Sequence, residues 1–231
     1  MKQILISMLT IIVLAACTQS AEPAPPTPPA VEASAEDAPE TADTSSSTAA
    51  EAIAVTYFTP AQQEGPYYPV NKLQDRDNDL VELAGAAGTP AGQVVEFTGR
   101  VYDAQGMPLE GITIEIWQTD ESGVYLHPND PGTAGRDPNF QFYGEAVTDA
   151  GGNYRFRTIL PGRYEPRPRH IHVKIKLDGR ELLTTQFYFA DEITLPGDEA
   201  ALLIDLEAGQ DAAGNPVWVG QRDIVLNWNN D

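Results

Sequence analysis

The chain reads as an all-β protein, an antiparallel β-sandwich with long loops and little helix. Several short runs alternate apolar and polar residues with period two. Turn-forming clusters rich in Asp and Gly fall between those runs. Apart from one short stretch, no run of the folded part has the 3.6-residue period of an amphipathic helix.

The strands are legible in order. Val95, Phe97 and Val101 alternate with Glu96, Thr98 and Arg100. Ile112, Ile114 and Ile116 alternate with Thr113, Glu115 and Trp117, and Tyr154 and Phe156 with Arg155 and Arg157. In Arg167-Pro-Arg-His-Ile-His-Val-Lys-Ile175, the residues Ile171, Val173 and Ile175 form one row; His170, His172, Lys174 and Lys176 form the other. Residues 181–189 and 223–228 are also strand-like, being rich in aromatic and β-branched residues. Turns are expected at Asp103–Gly106, Asp149–Gly152, Pro161-Gly162 and Asp178-Gly179. Residues 197–207 are expected to form a short helix.

The amino-terminal end is a different kind of sequence. Lys2, a mostly apolar run over 3–14 and then Leu14-Ala-Ala-Cys17 have signal-peptide proportions and are too short to span a membrane. Cysteine directly after small residues resembles the bacterial lipoprotein box, in which residues 1–16 are removed and Cys17 becomes the lipidated first residue. That places the protein in the bacterial cell envelope, anchored to a membrane through Cys17. Thr18 in place of Asp favours the outer membrane, facing periplasm or exterior. Residues 17–52 are then the lipidated cysteine and a tether of Ala, Pro, Glu, Ser and Thr, expected to be disordered because they have almost no large apolar side chains. Residues 53–231 make one domain of ordinary size.

Charge and composition exclude several functions. The net charge is −20, from 34 acidic and 14 basic residues. Seven acids lie in the tether and one base is Lys2, leaving 27 acids and 13 bases, about −14, on the domain. An acidic domain is a poor partner for nucleic acid. Eight of its bases nevertheless fall between Arg155 and Arg180, a local concentration that can draw in an anionic substrate. Cys17 is the only cysteine, so the domain has no disulfide, thiolate ligand or cysteine nucleophile. No Gly-x-Ser-x-Gly elbow, phosphate loop or dinucleotide fingerprint is present.

His170 and His172 point to one face of their strand, away from the Ile171 row, and so can converge on a metal. Two half-exposed strand histidines would give the same pattern. A third ligand from a carboxylate would make an iron(II) site, although no His-x-Asp/Glu pairing occurs. Tyr125 and Tyr164 are the other candidates. A phenol, with its ordinary pKa near 10, becomes a ligand only beside a strongly acidic cation, which points to iron(III) over zinc.

Several motifs in order resemble the intradiol ring-cleavage dioxygenases, the family of catechol and protocatechuate 3,4-dioxygenases. They are Thr59-Pro-Ala-Gln-Gln-Glu-Gly-Pro-Tyr-Tyr-Pro69, Ile116-Trp-Gln118, Gly123-Val-Tyr125, Asp137-Pro-Asn-Phe140, Phe156-Arg-Thr-Ile159, Pro161-Gly-Arg-Tyr164 and Arg167-Pro-Arg-His-Ile-His172. The resemblance covers about residues 57–230 and implies a β-sandwich with long active-site loops. It also implies a non-haem iron(III) held by Tyr125, Tyr164, His170 and His172, with Tyr164 leaving the metal when substrate binds. Arg167 matches the arginine facing the substrate ring. Gly65, Pro66 and Tyr67 match the wall of the substrate pocket, and Trp117 and Gln186 match further pocket positions. His127 has no ligand role in the family and is read as a loop hydrogen-bonder.

The implied reaction incorporates both atoms of O2 into a small aromatic diol and cleaves the ring between the hydroxyl carbons, giving a cis,cis-muconate-type diacid. Family members often associate, so a homo-oligomer is also implied. The Tyr164-to-His170 connection is short for the family, and no carboxylate-binding residue for protocatechuate is evident. The competing reading is a non-catalytic β-sandwich module, because Gly99–Gly111 also resembles transthyretin-like domains.

Overall fold

The structure is a computed structural model that describes residues 51–229. The leader, Cys17 and all but the last two residues of the tether lie outside the described residues.

Among the described residues ten strands form two packed sheets. In chain order they are β1 (Val94–Tyr102), β2 (Thr113–Trp117), β3 (Tyr143–Val147), β4 (Asn153–Ile159), β5 (His170–Leu177), β6 (Arg180–Phe189), β7 (Leu203–Ile204), β8 (Leu206–Gln210), β9 (Pro216–Gln221) and β10 (Ile224–Val225). One sheet runs β3-β2-β5-β6-β7. In the other, β1 pairs with β4, β9 and β10, and β9 with β8. The core between them contains Phe97, Ile114, Phe156, Ile171, Val173, Ile175 and Phe187, all fully buried.

The β-sandwich reading stands, but its antiparallel form needs correcting. β1 runs parallel to β9 and β10, and β6 runs parallel to β7, so both sheets are mixed. Alternation fixes which face a residue occupies and leaves strand direction open. The helix expected over 197–207 also shrinks, to a single 3₁₀ segment at Gly197–Leu202. From its last residue onward, buried Leu202 and Ile204 flank half-buried Leu203, and Asp205 is exposed. That is the period of a strand. The chain there pairs with β6 as β7, then crosses at Asp205 to pair with β9 as β8. The strand-like run 223–228 shortens to β10, while β3 and β9 are strands with no expectation attached.

Turn chemistry places the strands. Asp178 and Gly179, at φ of 50° and 78°, close the two-residue β5–β6 hairpin. Asp103 and Asp149 each accept backbone N–H bonds from residues two and four further on.

The face of the β3-β2-β5-β6 sheet turned away from the core is also covered. Residues 59–72 form a strap across it. Thr59 N–H donates to Val225 O, Gln62 N–H to Thr184 O, and Gln186 Nε2 to Gln63 O. Consequently His170, His172 and Lys174 are buried, on the opposite side of β5 from Ile171, Val173 and Ile175. A second, smaller cluster of Trp117, Tyr125 and Tyr143, with Tyr67, Tyr68 and Tyr164 against it, fills this space.

Candidate metal centre

Strand register assembles the floor of the site. Tyr143, Trp117, His172 and Gln186 are successive cross-strand partners on β3, β2, β5 and β6. His170 pairs with Tyr188 one row on. Side chains directly opposite stand about 4.5–5.5 Å apart at Cβ, so a single row brings four functional side chains into contact.

Two loops add the tyrosines. Asp120 Oδ1 accepts Ser122 and Val124 N–H, and Asp130 Oδ2 accepts Tyr125 N–H at 2.9 Å, fixing the loop that carries Tyr125. Tyr164 follows Pro161-Gly162-Arg163. The loops meet backbone to backbone. A Cβ on Gly123 (φ +83°) would lie 2.1 Å from Arg163 O, and one on Gly162 would lie 2.3 Å from both Glu121 O and Gly123 N. Gly162 N–H also donates to Asp120 O at 2.8 Å.

Three donor atoms converge. Tyr125 Oη lies 3.2 Å from His170 Nε2 and 3.1 Å from His172 Nε2, and the two Nε2 atoms are 3.1 Å apart. His170 Nδ1 lies 2.7 Å from Pro168 O; assigned as the donor there, it leaves a lone pair on Nε2. His172 Nδ1 is buried without a partner. Three mutual contacts are thus served by one phenol proton and at most one imidazole proton, an arrangement suited to donors gathered round a cation. Donors sharing one ion at about 2.0–2.2 Å stand roughly 2.8–3.6 Å apart. Among the described residues no three His, Cys, Asp or Glu side chains form such a group, so the set is completed only by tyrosine.

Electrostatics favour neutral imidazoles. Burial, opposed by the Pro168 carbonyl, lowers the His170 pKa. Burial, His170 and Arg167 lower that of His172 well below the usual value. Burial and the neighbouring Tyr164 raise the Tyr125 phenol above its ordinary value, so only a strong Lewis acid would ionise it. The residues therefore fit a hard, acidic cation.

Tyr164 shares the same cavity, but its hydroxyl turns to Tyr67 Oη at 3.4 Å. The Tyr164 phenol beside it and burial push the Tyr67 phenol up to about 12. Tyr67 packs against both loop tyrosines, its ring 4.9 Å from Tyr125 and 5.5 Å from Tyr164, which are themselves 5.8 Å apart.

The cavity has a volume of about 260 Å³ and is lined by Gln63, Gly65, Pro66, Tyr67, Tyr125, Tyr164, Pro166, Arg167, His170, His172 and Gln186. A larger open groove of about 770 Å³ on the outside of the sandwich contains none of the candidate residues. Of the eight bases between Arg155 and Arg180, six are in ion pairs, so most of the expected positive field is neutralised locally. Arg167 is in no ion pair among the described residues and donates to neutral groups, Gln186 Oε1 at 2.7 Å and Tyr188 Oη at 3.0 Å.

Trp117 differs from its expected position. It is fully buried, outside the cavity lining, and stacked on the far side of His172 because its strand row places it there. His127 accepts Asn129 N–H at Nδ1 and makes no contact with the convergent atoms. Tyr188 was not anticipated. Its signal was present in the sequence, since it lies two residues from Gln186 on the same face of β6.

Comparison with known proteins gives a consistent set of relatives. A family model described as Dioxygenase matches residues 63–205. The protocatechuate 3,4-dioxygenase beta chain of Burkholderia cepacia is 41% identical over 145 residues, 59% of each chain. The catechol 1,2-dioxygenase of Acinetobacter baylyi is 32% identical over 159 residues, covering 61% of this chain and 49% of that one. The chain thus spans about half to three-fifths of the length of these curated relatives. Among solved structures, the dioxygenase domain of a carbohydrate-binding fusion from Streptomyces sp. SirexAA-E superposes with a TM-score of 0.57 at 32% identity. That match covers 74% of this chain and 99% of the other.

Proposed function

The chain belongs to the intradiol ring-cleavage dioxygenase family, and from that premise we propose that it is a non-haem iron(III) enzyme acting on a catechol-type diol. It would incorporate both atoms of O2 and cleave the ring between the hydroxyl carbons to a cis,cis-muconate-type diacid. The observation that carries this reading is the convergence of Tyr125 Oη, His170 Nε2 and His172 Nε2 to within 3.1–3.2 Å of one another. Tyr164 is the fourth ligand in the proposal.

Iron(III) would supply a Lewis acid that ionises phenols and draws electron density from the diol oxygens. The chain's own residues do the rest. Ionised while it holds the cation, Tyr164 would take a substrate hydroxyl proton at its phenolic oxygen on leaving, and the resulting neutral phenol would make the hydrogen bond with Tyr67 that is seen at 3.4 Å. Arg167, held by Gln186 and Tyr188, presents a guanidinium free of carboxylates to negative charge developing on the ring. Gly65, Pro66 and Tyr67 wall the ring from water.

The test is to load the purified protein with ferric ion. Tyrosinate-to-iron charge transfer should colour it red-brown, and the colour should vanish in Tyr125→Phe. Oxygen uptake and muconate absorbance over a panel of catechol, protocatechuate and hydroxyquinol should identify the diol. A colourless, iron-free protein after loading would overturn the proposal. Membrane anchoring through Cys17 is a further part of it, tested by loss of palmitate labelling in Cys17→Ser.

A further inference from the structure

We propose that Glu115 is a positioning residue, whose buried carboxylate latches the strap carrying Gly65, Pro66 and Tyr67 over the metal centre. The inference rests on the reading of the site given above. It starts from a charged side chain that neither the fold nor the proposed chemistry requires.

Glu115 lies in the middle of β2, one row from Trp117, and is 4% exposed. A carboxylate buried to that degree is costly unless every lone pair finds a donor. Lys176 from β5 reaches Oε1 at 2.6 Å and could serve as its counter-ion from within the sheet. The remaining donors come from the strap. Tyr68 Oη donates to Oε2 at 2.7 Å, and Lys72 Nζ donates to Oε1 at 3.3 Å. Burial pushes the carboxyl up, but the Lys176 and Tyr68 hydrogen bonds and the two lysine charges outweigh it and keep Glu115 ionised.

These contacts are next to the site. Tyr68 follows Tyr67 directly, and its ring stands edge-on to Trp117 at 5.0 Å. On the other side of the wall, Lys174 pairs with Glu64 and lies 4.2 Å over the Tyr68 ring. The strap is therefore fastened by an ion pair at Glu64, immediately before Gly65, and by the Tyr68 hydrogen bond immediately after Tyr67, with the Lys72 ion pair further on. Among the described residues no backbone hydrogen bond ties residues 65–67 to another segment, so their position depends on these side chains. Tyr67 in turn receives the Tyr164 hydroxyl, so Glu115 acts through Tyr68 on a residue that touches a candidate ligand. Lys72 also contacts Tyr143 Oη and Glu145, so it keeps partners when Glu115 is neutralised.

The experiment compares the ferric-loaded wild-type chain with Glu115→Gln and Tyr68→Phe. Well below the melting temperature, tryptic cleavage after Lys72 and Arg76 should be about tenfold faster in Glu115→Gln, the scale of one lost charge-assisted hydrogen bond. Cleavage at other sites that open by local fluctuation should be unchanged. KM for the diol should rise by about tenfold with kcat within about twofold, and the charge-transfer colour should persist. Tyr68→Phe should shift both readouts in the same direction by less, and it carries the test if Glu115→Gln does not fold. Unchanged cleavage in the strap, or cleavage accelerated equally across the domain, would overturn the latch. If the wild type binds iron but turns over no diol, the proteolysis result still decides the latch, and the functional reading fails separately.

Discussion

The indole of Trp117 lies flat against the imidazole of His172, with ring centroids 4.6 Å apart and planes 7° apart. His172 Nδ1 has no hydrogen-bond partner, so this stack and its strand position orient the ring where a hydrogen bond does so for His170. The strap also approaches the ring: a Cβ at Gly65 would lie 3.4 Å from His172 Cε1.

Trp117→Ala should therefore do two things. Loss of a fully buried indole should cost about 3–5 kcal/mol in chemical denaturation. Ferric affinity, measured by chelator competition, should fall by roughly 10–100-fold, as for other residues that orient a ligand. A variant that is destabilised but binds iron as tightly as wild type would show that the stack does not orient His172.

Gly162 joins the two tyrosine loops at a backbone contact with no room for a side chain. Gly162→Ala should destabilise the domain by about 1–3 kcal/mol through overpacking and weaken the iron colour, because both loops must separate. Gly135→Ala, where a Cβ meets nothing within 4 Å, should stay within about 0.5 kcal/mol of wild type. Equal melting temperatures for the two variants would refute the contact.

Arg167 bonds to neutral partners, so replacing it strands no buried carboxylate. Arg167→Gln should keep the ferric colour and lower kcat by about 10²–10³-fold, the usual effect of removing one preorganised charge-stabilising donor. Full activity in this variant would remove Arg167 from the mechanism.

Glu115 gives a pH signature. Its folded pKa is held below the ordinary glutamate value, so its contribution to stability is complete above the unfolded value of about 4.3. That contribution is lost as pH falls through the lower, folded pKa. Glu115→Gln should thus be less stable than wild type by about 1–3 kcal/mol near neutral pH. The gap should close as acidification below the unfolded value carries Glu115 through its lower, folded pKa, as followed by denaturation midpoints. A gap independent of pH would mean that packing, not charge, is what the substitution removes.

The sequence by itself determined faces, turns and chemistry. Period-two alternation put Ile171, Val173 and Ile175 into the core and turned His170 and His172 the other way, because side-chain direction along a strand is a local property. Asp178-Gly179 marked the β5–β6 hairpin for the same reason. The absence of cysteine from the domain and the order of Tyr125, Tyr164 and the His pair restrict the candidate donors to oxygen and nitrogen. Tertiary structure alone decided strand direction, the sheet switch at Asp205, the stacking of Trp117 behind His172 and the neutralisation of most of the basic stretch. It also brought Glu115 under a strap that begins about 50 residues earlier in the chain. These features depend on which distant segments pack together, and pairing over long separations is set by the energy of the whole core rather than by any local pattern.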